Sequence, residues 1–319
     1  MSRHAAEILV PVDLYFIAAL AVVEVVGRLP SPVRLLATRS LGAISSTLSR
    51  RKRRAIVLQL QQAFPDMDGR AHALIARASM TEFWRESQFA VPSVASEAAR
   101  KAGSIRGLEH LERAHAGGRG VILAESSGFG RRALARAALH HAGYVAHQIH
   151  GPNHLGVFHT PNAETTWLRN RIRRFLERRE RHFVHEILTI PREPSTTFGR
   201  AALARLKANA ILLTQGDGRQ GENLLNLPFL GGPCLFAPGT AKIAVLSGAP
   251  ILPIFGIDSD PGPSRVEIEA PLVCPENGSR SQRVQEILRD YAARLEARVR
   301  TSPEQYRNWH LLRRPRETR

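Results

Sequence analysis

The run GVILAESSGFGRRAL, residues 120–134, decides the fold. Four apolar residues after Gly120, a turn of small residues and then an alanine-rich segment read as a buried strand, a tight turn and a helix N-terminus. In sheets built this way ligands gather beyond the carboxyl ends of the strands, and a helix N-terminus there receives anions. The turn offers Glu125, Ser126, Ser127, Arg131 and Arg132, with the backbone N–H groups around Gly128. It contains no histidine.

Outward from that run, the pattern from residue 104 onward alternates strands with helices. Strands are expected at 120–124, 145–147, 210–214, 250–257 and 264–269, and helices at 131–142, 164–180, 197–207, 238–247 and 279–300. The apolar runs VIL, ILL and ILPI read as central buried strands, whereas RVEIE at 265–269 alternates and suits a more exposed one. This is an α/β fold, a mixed central sheet flanked by helices. Residues 30–95 read as helical with a break at FPDMDG, residues 64–69, so the expected organisation is an N-terminal helical segment, 1–100, and an α/β domain, 101–319. The sheet brings the turn after Glu125, the segment 215–218 with Asp217, and the stretch after His147 around one crevice.

The chain has 319 residues, with 45 Lys+Arg against 28 Asp+Glu, a formal charge of +17. Such a balance favours an anionic surface: phospholipid headgroups, nucleic acid or an acidic carrier protein. Nucleic acid is the poorer choice, since aromatic residues are few and no groove-reading or RNA-binding motif appears. The stretch 8–26 is mostly apolar but is interrupted by Asp13 and Glu24, and the basic run RRKRR follows at 50–54. A membrane-associating or core-packing helix fits better than a clean membrane span or a secretory signal. Cys234 and Cys274 are isolated, and both read as buried small hydrophobes in a reducing compartment.

Several segments, in order, resemble one family: RRAIVLQLQQAFP (53–65), FWRE (83–86), GLEHLERA (107–114), GRGVIL (118–123), PFLGGP (228–233), GTAKIA (239–244), GAPILPIF (248–255) and PEQYRNWHLLRR (303–314). Together they resemble the lipid A late acyltransferases, the lauroyl and myristoyl transferases of the lysophospholipid acyltransferase superfamily. The resemblance implies a lysophospholipid acyltransferase-like fold and no cofactor. It implies an acyl carrier protein or acyl-coenzyme A donor, a lipid or other amphiphilic acceptor, and a place at the cytoplasmic face of the inner membrane, peripheral or N-terminally anchored. In that family a His-x4-Asp/Glu pair deprotonates the acceptor hydroxyl. Counting from the strand puts Ser127 and Arg132 at those positions; matching Phe129-Gly130 to the family's Phe-Gly puts Gly128 and Ala133 there. Both alignments remove the pair, and neither serine nor a protonated arginine replaces an imidazole base.

Other candidates fill the gap unevenly. Glu125, at the end of a buried strand, is either a desolvated base or a carboxylate paired with Arg131 or Arg132. Histidines 147, 150, 154 and 159 lie within 13 residues; ordinary loop histidines, a replacement base from His147 or His150, and a metal site are the three readings, and no metal is assigned. Asp217 is either a surface turn residue or a catalytic acid. Arg131 and Arg132, and Arg169 and Arg171 on the helix expected at 164–180, are candidates for holding an anion, with simple exposure as the plain alternative for the first two and a solvated helix face for the latter two. The function expected is therefore an acyltransferase-fold protein with a non-standard site. The alternatives are a catalytically silent lipid- or carrier-binding scaffold and a soluble tailoring acyltransferase of secondary metabolism.

Overall fold

The computed structural model describes residues 11–151, 167–191, 196–218, 223–257, 262 and 264–312. Six helices come first: α1 (Pro11–Gly27), α2 (Ser31–Leu48), α3 (Arg50–Ala63), α4 (Gly69–Gln88), α5 (Pro92–Ala102) and α6 (Leu108–Ala116). Then follow β1 (Val121–Glu125), α7 (Arg132–His141), β2 (Ala146–His150), α8 (Trp167–Glu180), β3 (Glu186–Thr189), α9 (Thr196–Lys207) and β4 (Ile211–Gln215). The remainder is β5 (Leu225–Pro228), β6 (Pro233–Phe236), α10 (Gly239–Ser247), β7 (Ile251–Ile257), β8 (Arg265–Ile268), α11 (Arg280–Thr301) and two short 3₁₀ turns, Pro303–Gln305 and Trp309–Leu311.

The main sheet has the order β3-β2-β4-β1-β7-β8. Its first five strands run parallel, and β8 closes one edge antiparallel to β7. Strands β1 and β7 are buried along their whole length, as their unbroken apolar runs require when helices cover both faces. Edge strand β8 alternates between half-buried and buried residues, which its RVEI sequence anticipates. Where the sequence reading stopped β2 at 147, the strand continues to His150 and pairs with β3. Neither β3 nor the β5–β6 hairpin is expected from the sequence. The β3 residues are half-buried or exposed, and prolines at Pro228 and Pro233 mask the hairpin's strand pattern.

Helices pack on both faces of the sheet. On one, α7 buries Leu134, Ala135, Ala138 and Leu139 against Leu123, Leu213 and Ile254. On the other, α11 presents Leu288, Tyr291 and Leu295 alongside Ile122, Leu212 and Phe255. Ile56 and Leu60 of α3 and Ala76 and Met80 of α4 join this second cluster together with Tyr306 and Trp309. The N-terminal helices thus share a core with the chain's last described turn. Trp309 is fully buried and its indole N–H donates to the Pro303 carbonyl at 2.9 Å, so the aromatic ring carries its polar atom inward satisfied.

Cysteine burial divides. Cys234 on β6 is buried as expected, whereas Cys274 is exposed because it lies in the loop between β8 and α11 rather than on a core-facing strand. Among the described residues no helix is long and apolar enough to cross a membrane.

Candidate active site

At the end of β1 the chain turns through residues 126–130 and enters α7. Gly130 adopts φ +73°, and a Cβ there would meet the Gly256 carbonyl oxygen at 2.9 Å, so the turn needs glycine for both conformation and space. Gly128 is required for space alone. A Cβ at that position would stand 2.5 Å from the Tyr306 ring and 2.9 Å from the Asn308 side chain.

Asp217, in the turn after β4, fastens the two turns together. The buried Ser126 hydroxyl donates to Asp217 Oδ2 at 2.8 Å and accepts the N–H groups of Gly128 at 3.1 Å and Phe129 at 3.0 Å. Ser127 donates twice to the same carboxylate, from its N–H to Oδ1 at 2.6 Å and from Oγ to Oδ2 at 3.0 Å. Asn308 Nδ2 donates to Ser127 Oγ at 3.0 Å from the C-terminal side. The three backbone N–H groups of residues 127–129 are therefore all engaged, that of Ser127 by Asp217 and those of Gly128 and Phe129 by Ser126, and Ser127 is the residue of the turn that lines the adjoining cavity.

In front of Ser127 lies a cavity of about 320 Å³. Phe83, Phe89, Leu176 and Phe183 supply apolar lining, while Arg132, Arg136, Arg307 and Asn308 supply polar lining. An apolar pocket with a few convergent polar groups is the usual form of a small-molecule site. Its cations differ in how well they are matched. Arg136 makes a bidentate pair with Glu125, at 3.0 and 2.8 Å, with both partners buried. Burial opposes the Arg136 charge, but the Glu125 carboxylate more than offsets it and holds the guanidinium above its ordinary pKa. Arg179 pairs with Glu24 of α1. Arg307 donates to the Gly130 carbonyl at 2.8 Å and has Glu86 at 3.9 Å; burial, with Arg131 and Arg132 close by, pulls it down to about 10 against the attraction of Glu86. Arg132 has no ion-pair partner among the described residues, and its Nε is buried without a hydrogen bond.

The structure brings Ser126, Ser127, Gly128, Arg132 and Asp217 together and sets the other sequence candidates apart. Glu125 is the paired carboxylate of its two readings, with Arg136 as partner instead of Arg131 or Arg132. Arg131 turns away from the cavity, ion-paired to Glu82 and stacked over Phe89 at 5.7 Å. His147 and His150 belong to β2 rather than to a loop, and three positions apart on a strand they face opposite sides. His147 Nδ1 lies 3.0 Å from Glu186, which also receives Arg205 at 2.9 and 3.1 Å, whereas His150 Nδ1 lies 3.4 Å from Glu180 at the cavity's rim. No group of three potential metal ligands occurs among the described residues, and His154 and His159 lie outside them. Arg171 is exposed on α8, and the side chain of Arg169 lies outside the described residues.

Sequence reasoning missed Asn308, Arg307 and Arg136. The first two stand in the C-terminal segment quoted above as framework. Arg136 carried a usable signal: it follows Arg132 by four residues, so both project from one face of α7.

Among curated proteins no relative matches the chain. Residues 1–129, about two fifths of the chain, match the family described as Bacterial lipid A biosynthesis acyltransferase. That match runs through the N-terminal helices and β1 and ends within the turn at Phe129, so over this stretch the chain is similar to the bacterial lipid A biosynthesis acyltransferases.

Proposed function

We propose that this chain transfers a thioester-borne acyl group, carried by acyl carrier protein or coenzyme A, to the hydroxyl of an amphiphilic acceptor, using Ser127, Asp217 and Arg132 as its working groups. One observation carries the reading: Ser127 faces the cavity with its hydroxyl donating to a buried carboxylate, and Arg132 lines the same cavity without an anionic partner. A cation in the first turn of α7 also sits at the positive end of the helix dipole, an arrangement that a bound anion relieves.

The chemistry follows from that geometry. The acceptor hydroxyl gives its proton to Ser127 Oγ as Ser127 passes its own to Asp217 Oδ2, and the acceptor oxygen bonds to the thioester carbon. The carbonyl oxygen becomes an oxyanion beside Arg132, which stabilises it as a fixed positive charge. Collapse breaks the carbon–sulfur bond, and the departing thiolate recovers the proton through Ser127. A carboxylate is a weaker base than imidazole near neutrality, so turnover is slow beside that of a His-x4-Asp enzyme.

Contact with an anionic membrane surface at the cytoplasmic face of the inner membrane completes the reading. Leu14, Val25, Val33, Leu36, Ile44 and Leu48 are exposed on α1 and α2, and the basic run 50–54 opens α3 beside them. A second reading, a silent scaffold that holds lipid or carrier protein, is favoured by the engagement of Glu125 with Arg136 and of all three turn N–H groups. Thiol release from acyl donors in the presence of lipid vesicles tests both. Release that falls in Ser127→Ala supports transfer; saturable donor or lipid binding without release supports the scaffold.

A further inference from the structure

Beside the mouth of the cavity at Ser127 stands a cation that no carboxylate serves. Phe83 of α4 lines the cavity and is 45 % exposed, which sets it where the cavity opens outward. The Lys52 ammonium of α3 lies over its ring, 4.8 Å from the centroid. A ring face attracts a cation without neutralising it. Lys52 is half-buried and has no ion-pair partner among the described residues; burial alone pulls its ammonium below the ordinary 10.5.

The surroundings narrow the anion that would match this charge. Residues 50–54 are all cations, and α3 carries no acidic residue. Behind Phe83 the apolar lining continues with Phe89, Leu176 and Phe183. A ligand that satisfies both features joins an anionic group to an apolar body. Leu36, Ile44 and Leu48 of α2 and Leu58 of α3 are exposed, so the face that holds Lys52 suits a bilayer, and such a ligand arrives from there.

We infer that Lys52 and Phe83 form the entry port for the acceptor and that the acceptor is an anionic membrane lipid, its phosphate held by Lys52 at the mouth while an apolar portion passes Phe83 into the cavity. This assignment rests on the transfer proposed at Ser127. Lys52 reads the charge of the acceptor and not that of the thioester donor.

Amine labelling of the full chain, followed by peptide mass, reads Lys52 directly, because the other lysines, Lys101, Lys207 and Lys242, are exposed and serve as internal references. Dodecyl phosphate below its micelle concentration should slow labelling of Lys52 about tenfold relative to those three, the low end for a hydrogen bond to a charged group. Dodecyl maltoside and inorganic phosphate should leave it close to that of the free protein. An equal effect of either overturns the inference, since apolar cover or a bare surface ion would then suffice. In transfer assays with lipid vesicles, Lys52→Gln should raise the acceptor KM about tenfold with a smaller effect on kcat and on the donor KM, and Lys52→Arg should restore it. A rise in the donor KM instead, or an equal rise in Arg54→Gln, which removes an exposed charge from the same run, contradicts the port. Protection of Lys52 without any transfer supports the lipid site and overturns the chemistry proposed at Ser127, whereas transfer without protection overturns the lipid site alone.

Discussion

Glu125 and Arg136 face each other as a bidentate ion pair at 3.0 and 2.8 Å, the carboxylate closing β1 and the guanidinium on the second turn of α7. Removing one partner of such a pair leaves an uncompensated buried charge, at a cost of about 3–5 kcal/mol. Glu125→Gln should therefore lower stability by that amount in urea unfolding. A variant as stable as wild type contradicts the pair's structural role.

Ser126 supports the turn from inside. Ser126→Ala strands the N–H groups of Gly128 and Phe129, and each unsatisfied buried donor costs roughly 1–3 kcal/mol. Its loss of stability should exceed that of Ser127→Ala, since Ser127 Oγ accepts only from the Asn308 side chain. Equal losses would show that the two serines are interchangeable supports.

Gly128→Ala places a methyl group against Tyr306 and Asn308, and overpacking of this kind costs about 1–3 kcal/mol. The C-terminal segment should then loosen from the turn, raising proteolytic cleavage near residue 306. Wild-type resistance to protease would argue that the segment is not held there.

The Glu186 carboxyl is held at about 2, below its ordinary 4.5, chiefly by hydrogen bonds from Arg205, with burial opposing and His147 assisting. A carboxyl whose pKa is lower in the folded state contributes stability above its unfolded value and loses it as the pH falls through the folded one. The melting-temperature gap between wild type and Glu186→Gln should be full near neutrality and narrow as the pH drops from about 4.5 towards about 2. A gap that widens on acidification contradicts the assignment.

The sheet was legible because its central strands are unbroken apolar runs and its edge strand alternates, two patterns that burial imposes directly. The turn's location followed from the strand–helix junction at residues 125–131. What the sequence concealed was pairing over long range. Glu125 could be read as a base until Arg136, eleven residues on, was seen to occupy it, and Asp217 is bound to Ser126 and Ser127 from about ninety residues away. Asn308 and Arg307 reach the turn because Tyr306 and Trp309 anchor the C-terminal segment in the core.

The most direct test is an intact-mass measurement of acyl groups moving from acyl carrier protein or acyl-coenzyme A onto total bacterial lipid, comparing wild type with Ser127→Ala and Arg132→Gln. The account predicts slow transfer by wild type, a loss of at least roughly tenfold in each variant, the low end for removing an acid–base group, and folding retained in both. Transfer that is indifferent to Ser127 and Arg132 would contradict it.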